Sequence, residues 1–374
     1  MPSTRRAFLT VIGGGAILAA GAGTWFATSR TPERALAPWA MAAAETDPRR
    51  YALAHAILAP NPHNLQPWMI DLSTPGEAAI LRDPARALPH TDPFDRQITI
   101  GFGCFLEQMT IAAAGIGYGT EIALFPEGEG GPVARVRFVE GAAARDPLFD
   151  HVMARRSTKE PFDMSRPVAA GALPALDPAI AGVRYAGTAD EARVAALRDL
   201  AWEAWVIEYE TPRTQRESVD LMRLGRAEIE ANPDGIDLGG PFLEGLMLAG
   251  MLNRQDLSTP GTQSFQAGYD LYEPMIAATP AFVWLATPGN AREDQIATGR
   301  AWLRLNLETT AAGLALHPIS QCLQEFPEMA ALYARAHGLL GRPGETVQML
   351  GRLGYADPVP ITPRWSLDAK LTSA

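Results

Sequence analysis

Apolar positions along the chain fall into two kinds of run. Long runs at helical spacing cover residues 51–59, 98–115 and 294–316, and a fourth, 190–208, sets Leu197, Leu200, Trp202, Trp205 and Val206 on one amphipathic helix. Shorter runs at 69–72, 78–81, 121–125, 134–140 and 280–286 predict strands, and the last is apolar at nearly every position, as a strand buried on both faces must be. Between them, 82–94 holds Pro84, Pro89 and Pro93 and predicts irregular surface, after which Asp95 and Arg96 lead into the 98–115 helix. Asp146-Pro147 carries the cap-plus-proline signature of a helix start, with a short helix expected to about residue 156. From 211 to 275 the pattern loosens around the apolar stretch 242–252, which predicts a lid or inserted cover, or else a plain surface excursion.

Two of the long helices repeat one another. A shift of 198 positions sets Gly101 on Gly299, Gln108 on Asn306, and Ala113-Ala114-Gly115-Ile116 on Ala311-Ala312-Gly313-Leu314. Small residues let two such helices pack closely, so one chain is expected to hold two related halves that pair as the subunits of a dimer would. The expected division is a linker at 31–47, a shorter first half at 48–145, and a second half at 146–374 carrying the insertion at about 211–275.

With 374 residues, 47% hydrophobic and 20% charged, the chain is globular and too long for one small core. A net charge of −10 argues against a nucleic-acid partner and makes any local cluster of cations conspicuous. The six histidines are scattered, with no Cys-x-x-Cys and no His-Glu-x-x-His, so no metal set is legible. Cys104 and Cys322 are expected as separate buried thiols. Residues 1–30 stand apart: Thr4-Arg5-Arg6-Ala7-Phe8-Leu9 resembles the twin-arginine export signal, and no charge follows until Arg30. That resemblance implies passage of the folded protein through the twin-arginine export machinery, to the periplasm or to a membrane anchor facing outside the cytoplasm. It also hints at a cofactor seated before export.

Two stretches carry chemistry. In Pro60-Asn61-Pro62-His63-Asn64-Leu65-Gln66-Pro67-Trp68, three prolines fix the backbone and remove three donors, so two carboxamide types and an imidazole project from a stiff loop. They suit a flat heterocycle with alternating donors and acceptors, or they cap backbone groups. In Arg155-Arg156-Ser157-Thr158-Lys159, three cations and two hydroxyls fall within five residues, as a phosphate monoester requires, or as a basic turn at a helix end would show.

The first stretch resembles the Pro-Ser-x-x-Asn-x-Gln-Pro-Trp signature of the nitroreductase-like flavoprotein family, and the second is similar to that family's Arg-x-Ser-x-Lys/Arg motif. The resemblance implies a nitroreductase-like α+β fold with antiparallel-rich sheets flanked by helices, and FMN as cofactor. It implies that Arg155 meets the phosphate, with Arg156 also among the cofactor-binding residues, that Ser157 meets the phosphate or ribityl chain, and that Lys159 meets the N1/O2 edge of the ring. Pro60, Asn61, Pro62, Asn64 and Gln66 would lie against the flavin. Pro318, Ile319, Ser320 and Gln321 would run over its face, although Ser320-Gln321 departs from the pair usual there. Arg364, in Pro363-Arg364-Trp365-Ser366, would close on the phosphate, with Arg352 as a further candidate or a purely structural arginine. Each half supplies one of the two motifs, so a single composite site per chain is expected, as in the fused twin subgroup similar to the mycobacterial Acg proteins. The implied activity passes hydride from a reductant such as NAD(P)H to a planar acceptor: a nitroaromatic, a quinone or an enone. No side chain is needed as acid or base, although His63 is a possible proton donor. The chain is expected to act as a monomeric pseudo-dimer. The other expectation from the same residues is an exported flavin-holding protein whose site is covered and does not turn over.

Overall fold

The computed structural model describes residues 29–372. Apart from Ser29 and Arg30, the expected export signal lies outside the described residues.

Two four-stranded antiparallel sheets share one plan. The first joins β1 (Trp68–Asp71), β2 (Glu77–Arg82), β3 (Tyr118–Leu124) and β4 (Ala134–Glu140) in the order β1-β2-β4-β3. Within the long excursion that follows, β6 (Met222–Leu224) and β7 (Ile236–Leu238) make a short parallel pair. The second sheet joins β5 (Arg184–Thr188), β8 (Ala281–Thr287), β9 (Ala315–Pro318) and β10 (Thr346–Gly354) in the order β5-β8-β10-β9. In each sheet the second strand leads into a 20-residue helix, Arg96–Gly115 or Arg292–Ala311, and that helix leads to the far edge strand. The fold is α+β with two related halves, and the excursion replaces the short turn that joins β1 to β2 in the first half.

The two long helices cross where glycine meets glycine. A Cβ on Gly103 would stand 2.7 Å from the Gly299 Cα, the reverse distance is the same, and a Cβ on Gly299 would overlap the Ile100 carbonyl oxygen. Close approach lets the core run unbroken from one half to the other: Phe102, Phe105, Trp68 and Ile80 on one side pack in the same cluster as Trp302, Leu305 and Val283 on the other. β8 explains its unbroken apolar sequence, because Ala281, Val283 and Leu285 face this central core while Phe282 and Trp284 face a second one under the helix Glu191–Glu210. Arg96, almost fully buried, fastens the halves, donating to the Gln348 carbonyl (2.8 Å) and pairing with Glu325 (3.1 Å).

Several sequence expectations are corrected. The helix expected at 294–316 ends at Ala311; Gly313 turns the chain with φ +68° and β9 begins at Ala315. The stretch 31–47 is not a plain linker: it contains the helix Glu33–Met41, whose first N–H groups are held by Glu230 of the excursion, and Trp39 donates to the Thr362 carbonyl at 2.8 Å. The helix after Asp146 is only a 3-10 turn, Pro147–His151, although Asp146 does cap it. Asp95 sits at φ +55° and caps nothing with its side chain; Asp92 accepts from the Gln97 and Ile98 N–H groups in its place. Residues 362–372 cross back to the first half, where Leu371 bridges Ile70. Cys104 and Cys322 are both buried and free, as expected.

Candidate functional site

The Pro60–Trp68 loop is strained and locked. His63, Asn64 and Gln66 all have positive φ, a conformation costing non-glycine residues on the order of 1 kcal/mol each. Their own amides hold it. Asn61 Oδ1 accepts from the Gln66 N–H at 2.7 Å and its Nδ2 donates to the Ala59 carbonyl. Gln66, fully buried, donates to the Pro233 carbonyl at 2.7 Å and accepts from the Trp365 N–H at 2.9 Å. Asn64 donates to the Pro363 carbonyl and accepts from Arg364 Nη1 at 2.6 Å. These three amides are therefore occupied by protein partners, and their carboxamide groups act as the loop's fasteners. Pro60 and Pro62 are half-buried beside them.

Behind this loop the two predicted phosphate arginines come together. Arg155 Nη2 and Arg364 Nη2 both donate to the Leu58 carbonyl, at 3.0 and 3.1 Å. Asn306, the repeat partner of Gln108, accepts from Arg155 Nη1 at 3.0 Å and donates to the Arg156 carbonyl. Arg156 lies over the Trp39 ring at 4.9 Å, and Arg364 approaches the same ring at 5.7 Å. No carboxylate pairs with Arg155, Arg156 or Arg364 among the described residues. Burial, together with the neighbouring arginines, pulls Arg364 down to about 9, and burial pulls Arg155 down to about 10, so both remain cationic at neutral pH. Each also keeps a buried Nε with no partner among the described residues. The three guanidiniums thus share one place, where carbonyl, amide and hydroxyl oxygens rather than carboxylates accept from them.

The remaining residues surround a second, less cationic place. Ser157 and Lys159 are exposed, and the Lys159 ammonium lies 4.7 Å from the Tyr272 ring centroid. Burial and the Lys159 charge push His63 down to about 4, and burial with the charges of Arg352 and Lys159 pushes His317 well below its ordinary value, so both imidazoles are neutral at pH 7. His63 Nδ1 and Gln321 Oε1 are buried without partners. Ile319 is fully buried and Pro318 ends β9; the Ser320 hydroxyl is used on the Leu350 backbone, at 3.1 Å to its carbonyl. Arg352 is pinned inside the second half, donating to His317 and to the Glu160 carbonyl and covering Phe162 at 4.5 Å, which is a structural role. Sequence reasoning missed Trp39, which lies in the stretch taken as linker and faces both Arg156 and Arg364.

Asp234 of the excursion ties this ensemble shut. It accepts from Arg86 (2.5 Å), Arg223 (2.6 Å) and Trp365 Nε1 (2.8 Å), while the next residue, Gly235, donates to the Asn64 carbonyl. Two surface pockets, of about 490 and 410 Å³, lie elsewhere, beside Arg304 and beside Tyr118, and neither is lined by the arginine cluster.

No family model matches the sequence. The chain is 28% identical over 334 residues, 85% of its length and 89% of the relative's, to a "Putative NAD(P)H nitroreductase" of Mycobacterium tuberculosis strain H37Rv, and equally to one of strain CDC 1551. Among solved structures it is similar to the FMN-dependent nitroreductase NfnB of Mycobacterium smegmatis in complex with NADPH (18% identity, 61% of this chain and 98% of that one, TM-score 0.35). It is also similar to a Bacteroides fragilis nitroreductase with bound FMN (14%, 59% and 94%, TM-score 0.35). The match to the mycobacterial relatives is too long to fit within either half, so it is across both halves that this chain is similar to proteins of the nitroreductase family.

Proposed function

We propose that the chain is an FMN-dependent oxidoreductase of the nitroreductase type that takes reducing equivalents from NAD(P)H and passes hydride to a planar acceptor. The observation that carries this reading is the pair Arg155 and Arg364, buried, cationic and converging on one carbonyl with no carboxylate to answer them. FMN fits the residues present: a phosphate monoester meets the two partnerless Nε groups, and a polar ring edge meets His63 Nδ1 and Gln321 Oε1. Its role when bound is hydride chemistry, which no side chain here supplies. The chain's part is to hold and tune. Arg155, Arg364 and Arg156 anchor the phosphate from the second half, Ser157 adds a short neutral donor, and the locked 60–68 loop presents the first half's surface. Lys159 places a cation where negative charge on a ring edge would be stabilised. The relatives' names as NAD(P)H nitroreductases support the same reading.

A second reading is favoured by one observation. The excursion is fastened onto the 60–68 loop through Pro233, Asp234 and Gly235, and this suits a covered site that holds flavin without turnover. Export through the twin-arginine route, to a compartment where NAD(P)H is scarce, is consistent with it. The absorption spectrum of the purified protein, followed by release and chromatography of its ligand, tests the cofactor; NADPH oxidation with menadione then separates turnover from storage. A colourless protein that takes up no added FMN would refute both readings.

A further inference from the structure

The excursion carries the most exposed large apolar side chain among the described residues, Leu248, at 75%. Leu248 ends the helix Pro241–Leu248, and the run from Phe242 to Leu252 holds a single charge, Glu244. Leu243, Leu246 and Met247 pack on Val219, Leu252 and Leu257, a small core separate from the two main ones. Leu248 and Met251 lie outside that core, as do the exposed Ala249 and Gly250 between them, and Met251 is 45% exposed. The tip is a formed helix end. The Gly250 N–H donates to the Met247 carbonyl at 3.0 Å and the Met251 N–H to the Leu246 carbonyl at 2.9 Å, with Gly250 at φ +71°. This is a Schellman turn, which satisfies backbone groups at the end of the helix while its side chains stay apolar.

The same helix receives the chain from its N-terminal side. Glu244 pairs with Arg30 at 3.1 Å and accepts from the Arg226 N–H at 3.0 Å, and Arg226 Nη1 donates to the Ser29 carbonyl at 2.8 Å. Glu244 and Leu248 are four positions apart on one helix, so they share a face about 6 Å apart along the axis. Residues 7–29, which lead directly to this attachment, are 23 positions without a charge. A bilayer's hydrocarbon core takes about 20 apolar residues of helix. A run of that length crossing a bilayer, with Arg30 as its first charge, would set the headgroup boundary within about a turn of Leu248.

We infer that the tip Leu248–Met251 is a membrane contact: with residues 7–29 in the bilayer, it enters the boundary between headgroups and acyl chains and holds the excursion against the lipid. The inference does not depend on the cofactor reading. Its driving force is apolar. Arg34, whose side chain is 83% exposed, and Arg226 stand near the attachment, but Glu230 pairs with both, and Glu33 is exposed next to Arg34 in sequence. The patch therefore has no cationic excess, and burial of Leu248 and Met251 rather than attraction to anionic lipid is what seats it.

Cys104 and Cys322 are both buried, so a cysteine introduced at the tip is the thiol that a dye reaches. Full-length protein carrying Leu248→Cys, labelled with an environment-sensitive dye and reconstituted into phosphatidylcholine vesicles, should lose at least about half of its emission when the vesicles include lipid with a nitroxide high on the acyl chain. Met251→Cys should behave alike, and the loss should persist at about 0.5 M salt, where attraction between exposed charges is screened. Leu339→Cys is the control, an apolar side chain 40% exposed on the helix Ala330–Leu340 of the second half, and its dye should keep its emission. Quenching at 248 and 251 no greater than at 339 would overturn the inference. Energy transfer between dyes at 248 on two chains, rising with protein density, would assign the tip to a second copy. A dye at 248 that is shielded from water yet untouched by the nitroxide lipid, at high dilution, would assign it to residues 7–29 folded back on the body. Either of these outcomes also overturns it. The flavin absorption of the same samples reports on the cofactor separately.

Discussion

Replacing Gly299 by alanine tests the architecture on which the composite site stands. The added methyl meets backbone, the Ile100 carbonyl oxygen, the Gly103 Cα and the Cys104 nitrogen, so no side chain can swing aside to receive it. The helices Arg96–Gly115 and Arg292–Ala311 must then separate, and overpacking of this kind costs about 1–3 kcal/mol, at the upper end where only backbone is met. Alanine is itself the better helix former by about 1 kcal/mol, which offsets part of the loss. The net expectation is a destabilisation of about 1–2 kcal/mol at an exchange that would ordinarily stabilise. Gly338, inside the helix Ala330–Leu340, supplies the control, because nothing lies within 4 Å of a Cβ placed there. Gly338→Ala should gain up to about 1 kcal/mol. Urea unfolding followed by tryptophan fluorescence reads both as shifts of midpoint at unchanged slope. Gly103→Ala should lose about as much as Gly299→Ala, and the double variant less than the sum, since both burden one contact. A Gly299→Ala midpoint at or above wild type would refute the close crossing and, with it, the rigid placement of Asn306 behind Arg155.

Three further outcomes are expected. FMN added to the purified protein should raise its thermal midpoint, by the equivalent of about 2.7 kcal/mol at a hundredfold excess over Kd, and Arg155→Ala with Arg364→Ala should abolish the shift; an undiminished shift in the double variant would exclude these residues as the phosphate anchors. Asp234→Asn should cost about 1–3 kcal/mol, because Arg223 loses its carboxylate while Arg86 keeps only its pair with Asp83. Burial alone would raise Asp234, but bonds from Arg86, Trp365 and Arg223 outweigh it and hold it below the usual carboxylate range. Its contribution is therefore present above about pH 4 and lost as pH falls through the depressed value, so the gap between wild type and variant in acid melting curves should narrow on acidification. Glu208, on the helix Glu191–Glu210, runs the other way: burial raises its folded value to about 7, above the unfolded one, so wild type should lose stability relative to Glu208→Gln as pH rises from about 5 to 8, by roughly 3 kcal/mol at most. Parallel pH curves for the two proteins would show that Glu208 ionises normally.

The arginines of the candidate site stood out in the sequence because they cluster in an otherwise acidic chain. Arg155 and Arg364 are 209 positions apart, each was singled out by its motif, and the fold brings both to the Leu58 carbonyl. The duplication was legible too, because Gly101 to Gly115 and Gly299 to Gly313 keep their small residues in step, and the matching strand orders follow from it. What the sequence did not yield are the things decided at long range. Asn61, Asn64 and Gln66 have the same donors and acceptors whether they face a ligand or a backbone, and only the positions of Pro233, Pro363 and Trp365 show where these groups are used. β10 was not foreseen because Gln348 and Arg352 break its apolar run; both are fully buried and partnered by groups from elsewhere in the chain. The overshoot of the last long helix has a local cause, since Gly313 ends it in a left-handed turn that an Ala-rich run does not announce.

Residues 362–372 are the last part of the described chain to leave the ribosome, and they touch what was made long before: Ala35, Leu58, Asn64, Gln66 and Ile70. Both sheets and the paired helices are complete in sequence by Gly354, so a nascent chain has its scaffold while it still lacks Arg364 and the segment that clamps the loop. The arginine cluster therefore closes only after Arg364 has been made and has crossed back to the Leu58 carbonyl. A chain stopped at residue 355 would lack Arg364 together with the bonds that Pro363 and Trp365 make to Asn64 and Gln66.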